Sequence, residues 1–195
     1  MDDNAIEIRG LEKSFSTFKL GPLDLTVPRG AIYGFIGPNG AGKSTTMDLM
    51  LGMGDRDAGT ITVNGLDHLR DEVAFKQRVG YASPDISYAV WGKVGKAIRF
   101  VRDFYPTWDH AYCDRLMEAF HLDAKDKIAT LSFGARTKLN LLIALSHRPE
   151  VLILDEPTTG LDAHQADKIV QKLRETAVEE AAAVAEARLV DEMKS

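Results

Sequence analysis

The sequence predicts an α/β fold in which helices cover a parallel sheet. Two apolar runs lead to this prediction: residues 31–36 (AIYGFI) and residues 151–154 (VLIL). A short apolar run without alternation is typical of a strand that is buried on both faces of a parallel sheet. A glycine-rich segment and a helix-like apolar spacing at 46–50 follow the first run, which indicates a strand, turn and helix in succession.

The N-terminal part of the chain predicts a small antiparallel layer. Residues 5–30 and 59–64 alternate between apolar and polar side chains, as strands with one buried face do. The second stretch ends in Asn64-Gly65, a dipeptide that favours a tight hairpin turn.

Residues 37–45 (GPNGAGKST) form a phosphate-binding loop between the first apolar run and its helix. Glycines let backbone N–H groups converge on phosphate oxygens, and the helix N-terminus adds a favourable dipole. Lys43 supplies charge for the β- and γ-phosphates, and the Ser44 hydroxyl can ligate Mg²⁺. The alternative is an ordinary glycine-rich turn. The predicted nucleotide-binding residues are Gly37, Pro38, Asn39, Gly40, Ala41, Gly42, Lys43, Ser44 and Thr45.

The stretch from 86 to 130 predicts a helical insert with two amphipathic faces, broken near Pro106. Such apolar stripes usually belong to a core. An apolar stripe that does not belong to the core would instead form a docking surface for a membrane subunit. Tyr88 and Trp91, at the entrance of the insert, are the best candidates for that contact.

Two carboxylates, Asp155 and Glu156, follow the second apolar run directly. Ligands of parallel sheets bind at the carboxyl ends of the strands, where this pair would lie. Asp155 is placed to hold a Mg²⁺ shell, and Glu156 can polarise an attacking water as general base. The alternative is a solvated acidic turn after a strand.

Three further motifs complete a recognisable order: residues 9–15 (RGLEKSF), 131–135 (LSFGA) and 158–162 (TTGLD). With the loop and the acidic pair, they resemble the nucleotide-binding domain of ATP-binding-cassette (ABC) transporters over roughly residues 5–175. The resemblance implies that Phe15 stacks on adenine and that Asp162 lies in the family's D-loop. It also identifies residues 131–135 as the family's signature motif, usually Leu-Ser-Gly-Gly-Gln.

In that family, the signature motif of one subunit closes over the nucleotide held by the other. The resemblance therefore implies a head-to-tail homodimer or heterodimer in which Ser132, Phe133, Gly134 and Ala135 act in trans. It implies a P-loop NTPase-type three-layer core with a parallel sheet, a small antiparallel layer and a helical signature subdomain at 86–135. All of these would belong to one ATP-binding domain over residues 1–195.

The implied function is that of an ATP-binding subunit of a membrane transporter. The subunit would bind and hydrolyse MgATP to drive a separate transmembrane permease. The run 104–109 (FYPTWD) looks like that of bacterial exporters, and the cassette would lie in the cytoplasm, at the inner face of the membrane. The alternative is a catalytically impaired nucleotide-binding module with a structural or regulatory role. A soluble cassette protein of DNA repair or the ribosome is disfavoured, since their insertions and a second cassette are missing.

Several positions depart from the family pattern. Phe133 and Ala135 replace a glycine and the usual Gln of the signature. Pro84 stands where the family has a Gln or acidic Mg²⁺ contact, and the neighbouring Asp85 can substitute. No His follows His164, so the family's switch His is absent.

The last segment, 178–195, is rich in Ala and Glu and predicts a helix rather than the family's apolar strand. The missing strand would leave unpaired backbone groups on its neighbours. We expect one of three explanations: truncation, which we favour, a split cassette completed by another chain, or a rearranged sheet that uses residues 184–190. Without the switch His, we expect slow turnover of ATP.

Composition bears on nucleic-acid binding, on disulfide formation and on membrane insertion. A net charge of −5 argues against a nonspecific nucleic-acid surface. The single cysteine, Cys113, excludes an internal disulfide and predicts a small buried hydrophobe. The sequence shows no signal-peptide pattern and no apolar run that approaches the roughly 20 residues of a membrane helix, so we expect any membrane role to require a partner.

Overall fold

The computed structural model describes residues 4–38, 40–67 and 69–176. The chain divides into two compact units. The first comprises the residues up to Glu72 together with those from Asp167 onward, and the second comprises Val73–Ala166.

The first unit contains a three-stranded antiparallel sheet in the order β2-β1-β3. Its strands are β1 (Asn4–Ser14), β2 (Lys19–Pro28) and β3 (Ala58–Val63). Ile8 lies opposite both Leu25 and Ile61, and the side chains of Ile8 and Ile61 are buried together with those of Leu11 and Val63. The antiparallel layer predicted from the alternating pattern is therefore present.

Helix α1 (Lys43–Met50) follows the glycine-rich loop, as its apolar spacing predicts. Leu49 and Met50 are buried on its inner face. The strand predicted for residues 31–36 is wrong: the segment has no strand assignment, and the side chain of Ile36 is 93% exposed. A strand needs a neighbour for its backbone groups, and neither sheet among the described residues includes this segment.

The second unit is built around one parallel strand pair. Strands β4 (Val79–Ala82) and β5 (Val151–Leu154) run side by side, from Val79 opposite Val151 to Ala82 opposite Leu154. Helix α5 (Phe133–Ser146) packs on β4 and is apolar nearly all round, so most of its side chains are buried. The mixed α/β fold with parallel and antiparallel pairing agrees with the sequence.

Three more helices precede α5: the first lies before the predicted insert at 86–130, and the other two lie within it. They are α2 (Glu72–Arg78), α3 (Val94–Arg102) and α4 (His110–Phe120), with short 3₁₀ turns at Ala89–Trp91 and Ile128–Thr130. Val94 and Ala97 of α3 are buried, and so are Tyr112, Leu116 and Phe120 of α4. Cys113 is also buried, which confirms its prediction as a small hydrophobe.

A final helix, α6, covers residues 163–176. The sequence from Ala163 to about Ala177 also predicts a helix, and the structure confirms that expectation as far as residue 176. The expectations for 178–195, including the alternative strand at 184–190, lie outside the described residues. Within the part of the chain that is described, no helix is both long and apolar enough to cross a membrane.

Candidate functional site

The turn into α1 has a backbone that only glycine fits well. Gly42 caps the helix with φ +88°, in the left-handed region. A Cβ at this position would lie 2.7 Å from a methyl carbon of Leu20 and 3.1 Å from the Phe18 ring. The buried Thr46 hydroxyl donates a 2.8 Å hydrogen bond to the Gly42 carbonyl oxygen. The loop therefore enters α1 by a fixed, tight path.

Lys43 lies at the first position of α1 and folds back over the loop. Its Nζ donates to the carbonyl oxygens of Gly37, at 2.8 Å, and of Pro38, at 2.9 Å. An ammonium group has three hydrogens, so the third has no partner among the described residues. Because the first N–H groups of a helix have no partner within it, this end of α1 presents donors and a positive charge together.

Phe15, predicted to stack on adenine, follows β1 and is 50% exposed. Its ring stacks on Phe18 with centroids 6.3 Å apart, and the Lys13 ammonium lies 5.9 Å from its centroid. Asp57 holds this end of β1 because it accepts from the Ser14 N–H at 2.7 Å. That bond and the Lys13 ammonium lower the pKa of the Asp57 carboxyl. The stacking of adenine on Phe15 therefore stays a prediction.

In the second unit, the acidic pair follows the parallel sheet as predicted. The Asp155 N–H donates to the Ala82 carbonyl at 2.9 Å, which extends the ladder one residue beyond β5. Glu156 then takes φ +45°, a left-handed conformation that costs a non-glycine residue about 1 kcal/mol or more. The Thr159 hydroxyl donates to Glu156 Oε2 at 2.9 Å. The chain therefore turns sharply at Glu156, with the carboxylate held by a hydroxyl.

A small cavity of about 10 Å³, enough for the centre of one water, adjoins this pair. Asn140 of α5 borders it, and its amide donates to the carbonyls of Ser83, at 2.8 Å, and Ile86, at 3.1 Å. Asp85 is exposed and does not line the cavity, so its role as a Mg²⁺ contact stays a prediction. The lining residues are Ala82, Ser83, Pro84, Thr137, Asn140, Leu141, Asp155, Glu156 and Pro157.

The signature segment forms the start of α5. The Ser132 hydroxyl accepts from the Ala135 N–H at 3.2 Å, so Ser132 is the N-cap of this helix, a role that a serine just before a helical stretch favours. Phe133 is half exposed and packs against Gly160, where any side chain would collide with its ring. Asp162 Oδ1 accepts from the Gln165 N–H at 2.8 Å and so caps α6.

The structure describes every predicted site residue except one. Asn39 lies outside the described residues. Within the described ranges, no group of three or more His, Cys, Asp or Glu side chains is close enough to hold a metal ion. The sequence reasoning missed Thr137, Asn140 and Thr159. The first two carry a signal that could have found them, because they are polar residues inside the apolar α5.

Comparison with known proteins connects these features. A sequence model of the ABC transporter family matches residues 20–159. The linearmycin resistance ATP-binding protein LnrL of Bacillus subtilis is 32% identical over 158 residues, which is 78% of this chain and 51% of LnrL. The Nod factor export ATP-binding protein I of Burkholderia lata is 36% identical over 180 residues, 87% of this chain and 58% of that protein. The daunorubicin resistance ATP-binding protein DrrA3 of Streptomyces coeruleorubidus is 35% identical over 184 residues, covering 89% and 57% respectively.

Solved structures show the same fold. An ATP-binding subunit of an ABC transporter superposes with a TM-score of 0.80 at 24% identity, covering 90% of this chain and 75% of the other. A putative ABC transporter ATP-binding protein from Pyrococcus furiosus gives 0.75 at 24% identity, covering 90% and 86%. The chain spans between 51% and 58% of the length of the three relatives named above. The matched family model covers most of the chain, including the phosphate loop, the signature segment and the acidic pair, and the chain belongs to the ABC transporter family.

Proposed function

We propose that the chain is the ATP-binding subunit of an ABC-type exporter, which binds and hydrolyses MgATP to drive a separate transmembrane permease. The family match supports the nucleotide chemistry. The names of three relatives, which refer to linearmycin resistance, Nod factor export and daunorubicin resistance, support export as the direction of transport.

The observation that carries the proposal is the geometry at the start of α1. The left-handed Gly42, the N–H groups of the first helical turn and the Lys43 ammonium all lie within a few residues of one another. Phosphate oxygens are stronger acceptors for an ammonium group than peptide carbonyls are, because they carry charge. Under this proposal, Lys43 exchanges the carbonyls of Gly37 and Pro38 for the oxygens of a triphosphate.

The acidic pair would supply the hydrolytic chemistry. Mg²⁺ bound with the nucleotide neutralises charge on the transferred phosphoryl group. The Ser44 hydroxyl and the Asp155 carboxylate are each an oxygen donor of the kind that Mg²⁺ prefers, and the proposal gives each of them a place in the shell of this ion. Glu156 would take a proton from the attacking water.

The start of α5 fits a second anion site. Ser132 and Phe133 are exposed there, and the helix of 14 residues presents its positive end. We propose that this end contacts the nucleotide of another cassette in a head-to-tail dimer. Phe133 keeps its N–H, but its ring occupies the surface beside Gly160, so the contact differs from that of a glycine signature.

A permease docking surface is proposed on the helical insert. Trp91, Phe100 and Phe104 form an aromatic ladder, with centroids 3.7 Å apart for the first pair and 5.1 Å for the second. Phe104 is 60% exposed, and Val90, which precedes Trp91 in the sequence, is 83% exposed. Burying each such side chain is worth about 1.5–3 kcal/mol. Tyr88 suits docking less well, because it is half-buried, and this burial raises its pKa to about 12.

Calorimetry with MgATP tests the nucleotide site. Lys43→Ala should abolish measurable binding, while Lys96→Ala, which removes an exposed lysine of α3, should leave the affinity within a factor of about two. Equal affinity in Lys43→Ala and the parent chain would contradict the assignment.

Membrane recovery tests the docking surface. When the chain is expressed with its permease, Phe104→Ser should reduce its recovery in the membrane fraction several-fold and leave ATP affinity unchanged. Ala119→Ser, at an exposed position on α4, serves as the control. Full recovery of the Phe104→Ser protein would show that docking uses another surface.

A further inference from the structure

The Glu156 carboxylate has a hydroxyl donor that no sequence motif predicts. Thr159 Oγ1 donates to Glu156 Oε2 at 2.9 Å, and the Thr159 N–H donates to the Glu156 carbonyl at 3.0 Å. Glu156 is exposed, so its side chain would otherwise sample several rotamers. The two bonds fix the turn and one orientation of the carboxylate at the same time.

Thr159 is itself held from α5. The hydroxyl of the buried Thr137 lies 3.2 Å from the Thr159 carbonyl oxygen and 3.3 Å from that of Phe133. A threonine hydroxyl has one hydrogen, which these two acceptors share. One acceptor belongs to the first turn of α5 and the other belongs to the acidic turn.

Close packing supports the same connection. A Cβ on Gly134 would lie 2.9 Å from the Gly160 carbonyl oxygen, and a Cβ on Gly160 would collide with the Phe133 ring. The residue after Thr159 therefore has almost no room to move relative to the start of α5. A displacement of Gly160 should therefore also displace the start of α5, because closely packed atoms transmit strain.

We propose that Thr159 is a positioning residue that orients the Glu156 carboxylate, and that Thr137 ties it to the start of α5. The proposal rests on the proposed role of Glu156 in hydrolysis. Thr159 touches neither nucleotide nor water in this account; it acts through Glu156. Because misplacing a reacting group by about 1 Å can cost a factor of about 10² in rate, loss of this hydroxyl should slow turnover without affecting binding.

Thr159→Val and Thr159→Ser test the positioning role in the full chain. Valine keeps the shape of threonine and removes the donor, whereas serine keeps the donor. Thr159→Val should lower kcat for ATP about 10-fold and leave KM and the calorimetric affinity within about 2-fold. Thr159→Ser should retain kcat within about 2-fold. An unchanged kcat in Thr159→Val, or an equal fall in both variants, overturns the proposal.

A spectroscopic measurement decides the matter even if the chain turns over too slowly to assay. In ¹³C NMR of the nucleotide-free protein, Thr159→Val should move the Glu156 carboxyl resonance and leave that of Glu118, an exposed residue of α4, in place. Thr137→Val should move the Glu156 resonance in the same direction by a smaller amount. An unmoved Glu156 resonance in Thr159→Val overturns the proposal. Failure of the parent chain to bind ATP would refute the proposed function and not this hydrogen bond.

Discussion

The phosphate loop and the acidic turn follow apolar runs of similar composition, yet they are held in different ways. The loop is stabilised by its own neighbours: Thr46 bonds to Gly42, and Lys43 bonds to carbonyls five and six residues back. The acidic turn has local bonds between Thr159 and Glu156, but it is also held by residues distant in sequence, because Asp155 bonds to Ala82 and Thr159 lies against Thr137.

This difference in support indicates that the phosphate loop, rather than the acidic turn, requires binding energy from the ligand to adopt its bound geometry. A turn that is cross-linked to a sheet and a helix keeps its geometry before any ligand arrives, which is the arrangement that favours chemistry. A loop held by local bonds gives up its own contacts when it binds phosphate, and the ligand must replace them. The exposed segment 31–36 before the loop fits this reading, since no described strand supports it.

The largest effects should come from removing the key charged group of each region by mutation. Glu156→Gln should lower kcat by a factor of about 10² or more, because a general base is lost, while ATP affinity stays within about 2-fold. Lys43→Ala should have the opposite result, with binding lost first. Glu118→Gln provides the control for a neutralised exposed carboxylate. Steady-state kinetics and calorimetry measure both quantities, and parallel losses of affinity in the two variants would remove the distinction.

A smaller effect tests the support of the acidic turn. Asn140→Leu removes both amide donors from the Ser83 and Ile86 carbonyls and should lower the free energy of unfolding by about 2 kcal/mol. Urea denaturation measures this change. Lys138→Leu, on the same helix and partly exposed, should stay within about 0.5 kcal/mol of the parent. If Asn140→Leu is as stable as the parent, the hydrogen bonds from Asn140 to the Ser83 and Ile86 carbonyls do not stabilise the segment after β4.

The smallest expected effect concerns the N-cap of α4, which lies outside both regions and contributes to the stability of the second unit. Asp109 caps α4 by accepting from the Tyr112 N–H at 2.8 Å, and Arg148 donates to its other oxygen. The backbone hydrogen bond, followed by the Arg148 contact, lowers the pKa of Asp109 below its ordinary 3.8. Asp109→Ala should cost about 1 kcal/mol at neutral pH.

The pH dependence of that cost follows from the direction of the shift. A carboxyl whose folded pKa is lowered stabilises the fold above its unfolded pKa and loses this contribution as the pH falls through the folded pKa. The stability difference between the parent and Asp109→Ala should therefore narrow as the pH falls below about 4. Asp114→Ala, at an exposed position on the same helix, is the control for net charge. A difference that stays constant down to pH 2 would show that the charge of Asp109 is irrelevant.

Local features of the site could be predicted from the sequence. Glycines before a lysine, a serine before a helix and two carboxylates after an apolar run each depend on neighbours within a few residues. Gly42, Ser132 and Asp155 accordingly lie as expected at a helix start, an N-cap and a strand end.

Features that depend on distant partners could not be predicted in the same way. Residues 31–36 have the composition of a buried strand, but a strand also needs a neighbour, which composition does not specify. The contact of Thr137 with Thr159 joins residues 22 positions apart, and Asn140 reaches 54 and 57 positions back. Tyr88 and Phe104 are both aromatic residues of the insert, and only the packing shows that Tyr88 is half-buried whereas Phe104 is 60% exposed.

Hydrogen exchange with and without MgATP tests the central contrast most directly. The backbone amides of β5, and those of α5 beyond its first turn (Thr137–Ser146), should be protected before nucleotide is added and should change little afterwards, because their contacts are already complete. The amides of the loop from Gly40 to Thr45 should exchange faster in the free protein and become protected at least about 10-fold by MgATP. Loop amides that are already as protected as those of β5, or equal gains in both regions, would contradict the account.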